Sequence, residues 1–172
     1  MKQIKIEYLC PEFCHFYGDH GNLLYLQKKA ALMGNEVHVV KTPRGEMPQF
    51  TKGGVDLLYI GPTTDAYQPP LIDTLNRVKP FLKEYIENGG YVLATGNALE
   101  IFYQSIKTSD GALLSALKLF PFEAEQFEGK RYSVNVVGDY HGLSIAGYKN
   151  LASRTTTQNN PYPLFSVIKE AG

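Results

Sequence analysis

Val92-Leu93-Ala94-Thr95-Gly96-Asn97-Ala98 reads as an apolar strand that turns sharply into a helix, with small residues at 94, 96 and 98. That spacing is the steric signature of a nucleophile elbow. The central residue of an elbow takes strained backbone angles, and the residues two away on either side must be small. Glycine accepts those angles but offers no nucleophile. A plain glycine turn between strand and helix fits the same residues, so both readings stand at this point.

Working outward, Val55-Asp56-Leu57-Leu58-Tyr59-Ile60 is a nearly continuous apolar run, as expected of a strand covered on both faces. Upstream, the alternation of Ile4 and Ile6 with charged residues predicts a first strand over 3–9, and Val37, Val39 and Val40 a second over 36–41. Leu23, Leu26, Ala30 and Met33 recur at helical spacing, with Gly34 placed as a C-terminal cap. Residues 71–88 read as a helix that Pro80 kinks or divides, 91–94 as a fourth strand, and Ala98–Tyr103 as the start of another helix. Strands alternating with helices predict an α/β three-layer sandwich, a mostly parallel central sheet with helices on both faces. After Leu113 the rhythm changes. Arg131–Val137 and Leu143–Tyr148 read as an antiparallel pair joined through 138–142, and Phe165–Lys169 as one further strand. The expected organisation is one domain over 1–172.

Composition excludes several classes of function. Lys plus Arg equals Asp plus Glu at 17 each, which leaves no basic field for a nucleic-acid backbone. No apolar stretch approaches the roughly 20 residues of a membrane span. The amino terminus lacks a signal-peptide core, and a cytoplasmic location is expected. Cys10 and Cys14 form no disulfide framework, and with no Cys or His cluster elsewhere they read as ordinary thiols, so no metal and no cofactor is expected. His15, His20, His38 and His141 fall in no recognisable Ser-His-Asp or Cys-His arrangement.

Two loops follow strands at the end where α/β sheets place ligands. In Gly61-Pro62-Thr63-Thr64-Asp65 the amides could hold an oxyanion, less the one that Pro62 lacks. Thr63, Thr64 and Asp65 equally suit a turn or helix cap, the reading favoured here. Tyr17-Gly18-Asp19-His20-Gly21-Asn22 opens a helix whose amides could bind an anion, and Asp19 or Asn22 as a cap is the plainer reading. Thr95, Asn97, Glu100, Asp19 and Asp65 are the polar residues expected near a pocket.

Four ordered segments then resemble one family, the class I glutamine amidotransferases of the cobyric acid synthase type, and within it the glutaminase-subunit branch of lipid II isoglutaminyl synthase. H-F-Y-G-D-H-G-N at 15–22 is similar to N-L-Y-G-D-R-G-N. D-L-L-Y-I-G-P-T-T-D-A-Y-Q from Asp56 is similar to D-L-I-F-I-G-G-G-Q-D-x-x-Q. Y-V-L-A-T-G-N-A-L-E from Tyr91 is similar to P-V-L-A-I-C-G-G-Y-Q, and G-Y-K-N-L-A-S-R-T from Gly147 to G-F-E-N-H-x-G-R-T. The resemblance implies the fold above and a pocket that includes Arg154. It also aligns the family's nucleophilic cysteine with Gly96, its histidine base with Leu151, an oxyanion-hole glycine with Pro62 and a glutamine with Glu100. Neither Gly96 nor Leu151 can do that chemistry. The resemblance therefore implies a catalytically degenerate domain that binds a Mur-ligase-like subunit in peptidoglycan amidation, or a small glutamine-like or anionic ligand. The alternatives are an active amidotransferase or new activity with a non-standard nucleophile, and a remnant without function. The family pattern continues past Val167-Ile168-Lys169, so the domain is expected to be short at its carboxyl end.

Overall fold

The computed structural model describes residues 2–156 and 163–171. The chain divides into two compact units, Met1–Phe102 and Tyr103–Gly172.

The first unit carries a four-stranded parallel sheet built from β1 (Gln3–Leu9), β2 (Glu36–Thr42), β3 (Leu57–Ile60) and β4 (Tyr91–Ala94), in the order β2-β1-β3-β4. Helix α1 (His20–Leu32) joins β1 to β2, and α2 (Gln68–Asn76) with α3 (Lys79–Glu87) join β3 to β4. These two crossovers run in opposite directions across the sheet. Right-handed connections then put α1 on one face and α2 with α3 on the other. The result is the three-layer α/β architecture, with its topological switch point between the carboxyl ends of β1 and β3, where such sheets bind ligands.

The core explains the central strands. Tyr8, Leu9, Leu58, Tyr59 and Ile60 are buried, and so are Leu71 and Leu75 of α2 and Leu82 of α3. Pro80 divides the expected 71–88 helix: Val78 leaves helical geometry and Pro80 falls in the first turn of α3, where its missing N–H costs nothing. Only Leu23 of α1 is fully buried, and Met33 is the exposed C-cap rather than a core residue. β4 is the last strand in the order of its sheet, so Tyr91 and Leu93 remain exposed where a buried strand was expected. A buried charge, Glu7, accepts hydrogen bonds from Thr42 Oγ1 (2.5 Å), Gln49 N (2.6 Å) and Phe50 N (2.8 Å). It thereby ties β1 to the end of β2 and to the 3-10 turn over Gln49–Lys52.

The second unit holds two small sheets. One has the order β10 (Ser153–Thr156), β7 (Glu123–Gln126), β5 (Ser105–Lys107), β6 (Leu113–Ser115), with only β5 and β7 parallel. The other has the order β11 (Ser166–Ala171), β8 (Tyr132–Tyr140), β9 (Leu143–Leu151), all antiparallel. The turn between β8 and β9 is His141-Gly142 alone, with φ +51° and +84°. A two-residue hairpin turn with both φ positive matches strand twist, which lengthens both strands beyond the expected 138–142 loop. No helix among the described residues is long and apolar enough to cross a membrane.

Candidate functional site

The site forms where the first unit's parallel strands end. After β1 the chain reaches Asp19, which is only 4% exposed. Its carboxylate does not cap α1, as the sequence suggested; no side-chain cap bond is made there. Instead it accepts hydrogen bonds from the Tyr59 hydroxyl, from Thr95 Oγ1 at 2.9 Å and from Asn22 Nδ2 at 2.8 Å. One buried acid thus ties the start of α1 to β3 and to the residue after β4. Burial, and then the bond to Asp19, pushes the Tyr59 phenol up to about 12. The Tyr8 hydroxyl donates to the Cys14 carbonyl beside it.

Gly61, first residue after β3, is crowded from the same side. A Cβ there would lie 2.1 Å from the Cys14 carbonyl oxygen and 2.3 Å from Asp19 Oδ2. Thr63 follows, 1% exposed, and its amide donates to Asn97 Oδ1 at 3.0 Å. Its hydroxyl is the one buried side-chain polar atom without a hydrogen-bond partner among the described residues. Thr64 stands at the N-cap position of the short 3-10 turn Asp65–Tyr67 but makes no side-chain cap bond, so the expected cap is corrected. Its carbonyl oxygen does the capping work, accepting from the amides of Tyr67 and Gln68.

Beyond β4, Gly96 takes φ +57° and opens a 3-10 segment, Gly96–Phe102, where an α-helix was expected. A Cβ at Gly96 would meet Pro62 Cβ at 3.0 Å. Asn97 spans the crevice: Oδ1 receives the Thr63 amide and Nδ2 donates to Asp65 Oδ1 at 3.4 Å. Glu100, 6% exposed, accepts from Gln68 Nε2 at 3.0 Å, and Gln68 also reaches the Asn97 carbonyl at 3.3 Å. The structure therefore brings Asp19, Gly61, Pro62, Thr63, Asp65, Thr95, Gly96, Asn97 and Glu100 to the ends of neighbouring strands. Leu151 and Arg154 belong to the second unit. Leu151 ends β9 opposite Tyr132, and Arg154 in β10 pairs with Glu125, Nε to Oε2 2.9 Å. Sequence reasoning missed Tyr59, hidden in an apolar run, and Gln68, which precedes the helix expected over 71–88.

The two thiols are poor nucleophiles. Cys10 and Cys14 are both buried. Burial, with a smaller contribution from Glu12, pushes the Cys10 thiol up to about 12, and burial raises Cys14 as well. Almost no thiolate is present at neutral pH in either position. Among the described residues no group of His, Cys, Asp and Glu could hold a metal ion.

Residues 5–172 match the pattern of the CobB/CobQ-like glutamine amidotransferase domain. The chain is 24% identical over 168 residues, 96% of its length, to the lipid II isoglutaminyl synthase (glutamine-hydrolyzing) subunit GatD of Streptococcus pneumoniae, covering 64% of that protein. It is 27% identical over 155 residues, 90% of its length, to the subunit of the same name from Staphylococcus aureus, covering 63%. The chain thus spans just under two thirds of the length of these curated relatives.

Proposed function

The chain belongs to the CobB/CobQ-like glutamine amidotransferase family, and we propose that it is a degenerate member that binds rather than hydrolyses. In this reading it serves as partner or regulator of a Mur-ligase-like subunit that amidates lipid II. Both relatives are named as subunits of a lipid II isoglutaminyl synthase, which supports the pathway and the existence of a second subunit.

The chemistry argues against turnover. Hydrolysing glutamine needs a thiolate to attack the side-chain amide carbon, N–H donors for the tetrahedral oxyanion, and an imidazole to pass a proton to the leaving ammonia. The resemblance aligns the nucleophile with Gly96 and the base with Leu151, neither of which carries a reactive lone pair. The observation that carries the reading is the state of the donors: the Thr63 amide is engaged by Asn97 Oδ1 at 3.0 Å, and Pro62 has no N–H to give. A resident side chain occupies the donor that an oxyanion would use. The rival reading, an active enzyme with a relocated nucleophile, gains nothing from Cys10 or Cys14, whose thiols are held protonated. The crevice retains one unsatisfied buried hydroxyl, Thr63 Oγ1, which suits a small glutamine-like or anionic ligand.

The test is a glutaminase assay on the chain alone and with a Mur-ligase-like subunit, together with a co-purification of the two. The expected outcome is a stable complex and no glutamate above background. Glutamate release at about 1 per second or faster, an ordinary enzymatic turnover, overturns the degenerate reading. Failure of the two proteins to associate overturns the partner reading.

A further inference from the structure

Away from the elbow, the first unit holds a concavity of about 230 Å³. It opens between the carboxyl ends of β1 and β2, the loop over 43–48, and the end of α2. Leu9, Leu75 and Val78 form a buried apolar wall, and Met47 in the loop is exposed. Charge enters from two residues of opposite sign, Glu46 and Arg77, both exposed and neither in an ion pair among the described residues.

Two observations separate this cavity from a packing defect. The loop that covers it is pinned at both ends. Arg44 N donates to Glu12 Oε1 at 2.5 Å, and Gln49 and Phe50 donate to the buried Glu7. A preformed wall spares a ligand the entropic cost of ordering it. In addition, Cys10 lines the cavity with φ +48°, a left-handed conformation that non-glycine residues seldom adopt. It is held there by its own amide on the Thr42 carbonyl and by the Phe13 amide on its carbonyl, both at 2.9 Å. Strain of this kind concentrates at ligand sites.

We propose that this cavity binds a small zwitterion with an apolar body, an amino acid of the size of valine or leucine, with Arg77 meeting its carboxylate and Glu46 its ammonium group. The size follows from the volume, which holds about eight waters at roughly 30 Å³ each, and so a molecule of about eight or nine non-hydrogen atoms. The charge follows from the rim. A zwitterion can meet both charges, whereas a simple acid or amine meets one and faces a like charge on the other. The inference does not depend on glutamine chemistry at the elbow.

The test is a titration of the isotope-labelled protein, followed by amide NMR, with three probes of matched shape: L-leucine, isovalerate and isopentylamine. L-Leucine is expected to give saturable shifts at Gly45, Glu46, Arg77 and Val78, and to bind more tightly than either singly charged probe. Arg77→Ala and Glu46→Ala, both exposed and so safe for the fold, are each expected to weaken leucine by roughly threefold to fivefold, the scale of a solvent-screened ion pair. Three equal affinities, unaltered binding in both variants, or no saturation by about 10 mM leucine overturns the proposal. Shifts centred on Thr63 and Asn97 also overturn it, because they place the ligand in the elbow crevice instead.

Discussion

Gly61 and Gly96 each follow a parallel strand of one sheet and face one crevice, but they are glycines for different reasons. Gly61 needs no unusual φ. It is glycine because the space beside it is filled, by the Cys14 carbonyl on one side and the Asp19 carboxylate on the other. Gly96 is the reverse. Its φ of +57° demands glycine or something able to tolerate left-handed geometry, while the three nearest atoms to an added Cβ, chain neighbours aside, all belong to Pro62. The turn after β3 is closed by packing. The turn after β4 has the positive φ of an elbow, and an added Cβ there would press on Pro62 alone, at 3.0 Å. A site whose chemistry has lapsed is expected to look like the second kind: geometry that the neighbouring strands still impose, with the reactive atom missing.

The largest expected effect tests the closed turn. In Gly61→Ala the new methyl group would overlap a backbone oxygen at 2.1 Å and a buried carboxylate oxygen at 2.3 Å, and the former cannot swing aside. The variant is expected to lose more than about 4 kcal/mol, among the largest single-residue effects, and to accumulate mainly as insoluble protein. A thermal midpoint within a few degrees of the parent, by circular dichroism, would mean that the crowding at Gly61 is not real.

A smaller effect is expected from the acid that joins the two turns. Asp19→Ala removes the acceptor shared by Tyr59, Thr95 and Asn22 and leaves polar groups without a partner in β3, after β4 and in the first turn of α1. The loss expected is roughly 2–3 kcal/mol, with Asp19→Asn milder because an amide oxygen still accepts. Urea denaturation with an unchanged slope would isolate the stability change. If Asp19→Ala is as stable as the parent, Asp19 is held for a ligand and not for the fold, and the contrast between the two turns loses its structural anchor.

Much of this arrangement is legible in the sequence, and the parts that are not have physical causes. β1 and β4 fall on their expected bounds and β2 within one residue, because apolar residues recur there and turn residues bracket them. β5, β6, β7 and β10 are three or four residues long and rich in Ser, Thr, Lys and Glu, too short and too polar for a period of two to register. α2 begins at Gln68, inside a stretch whose two prolines read as loop. Both lie in its first turn, where proline is tolerated. At the site, the small residues at 94, 96 and 98 announce the turn, and Gly96 has the positive φ that an elbow uses. The partner of the Thr63 amide was not legible, since Asn97 lies 34 residues away and nothing local in either segment requires the bond.

The smallest expected effect is at the open turn, and it decides what the crevice lacks. In Gly96→Cys the left-handed backbone costs a non-glycine residue about 1–2 kcal/mol. The new Cβ sits 3.0 Å from Pro62 Cβ, so Pro62 must yield by a few tenths of an ångström. The protein should fold with a modestly lowered midpoint, far less affected than Gly61→Ala. Glutamine hydrolysis should remain at background even though a thiol now stands at the elbow. A thiol at 96 frees no donor: the Thr63 amide still points at Asn97 Oδ1, and losing one oxyanion donor costs roughly 3–4 kcal/mol in a known enzyme. The sharper variant adds Asn97→Gly to Gly96→Cys. It releases that amide, and an increase in trapping by a glutamine-like electrophile over Gly96→Cys alone is expected. Mass spectrometry of the labelled peptide reads both. If Gly96→Cys alone releases glutamate at an ordinary enzymatic rate, about 1 per second, then Asn97 does not close the crevice and the proposed role of the engaged Thr63 amide fails.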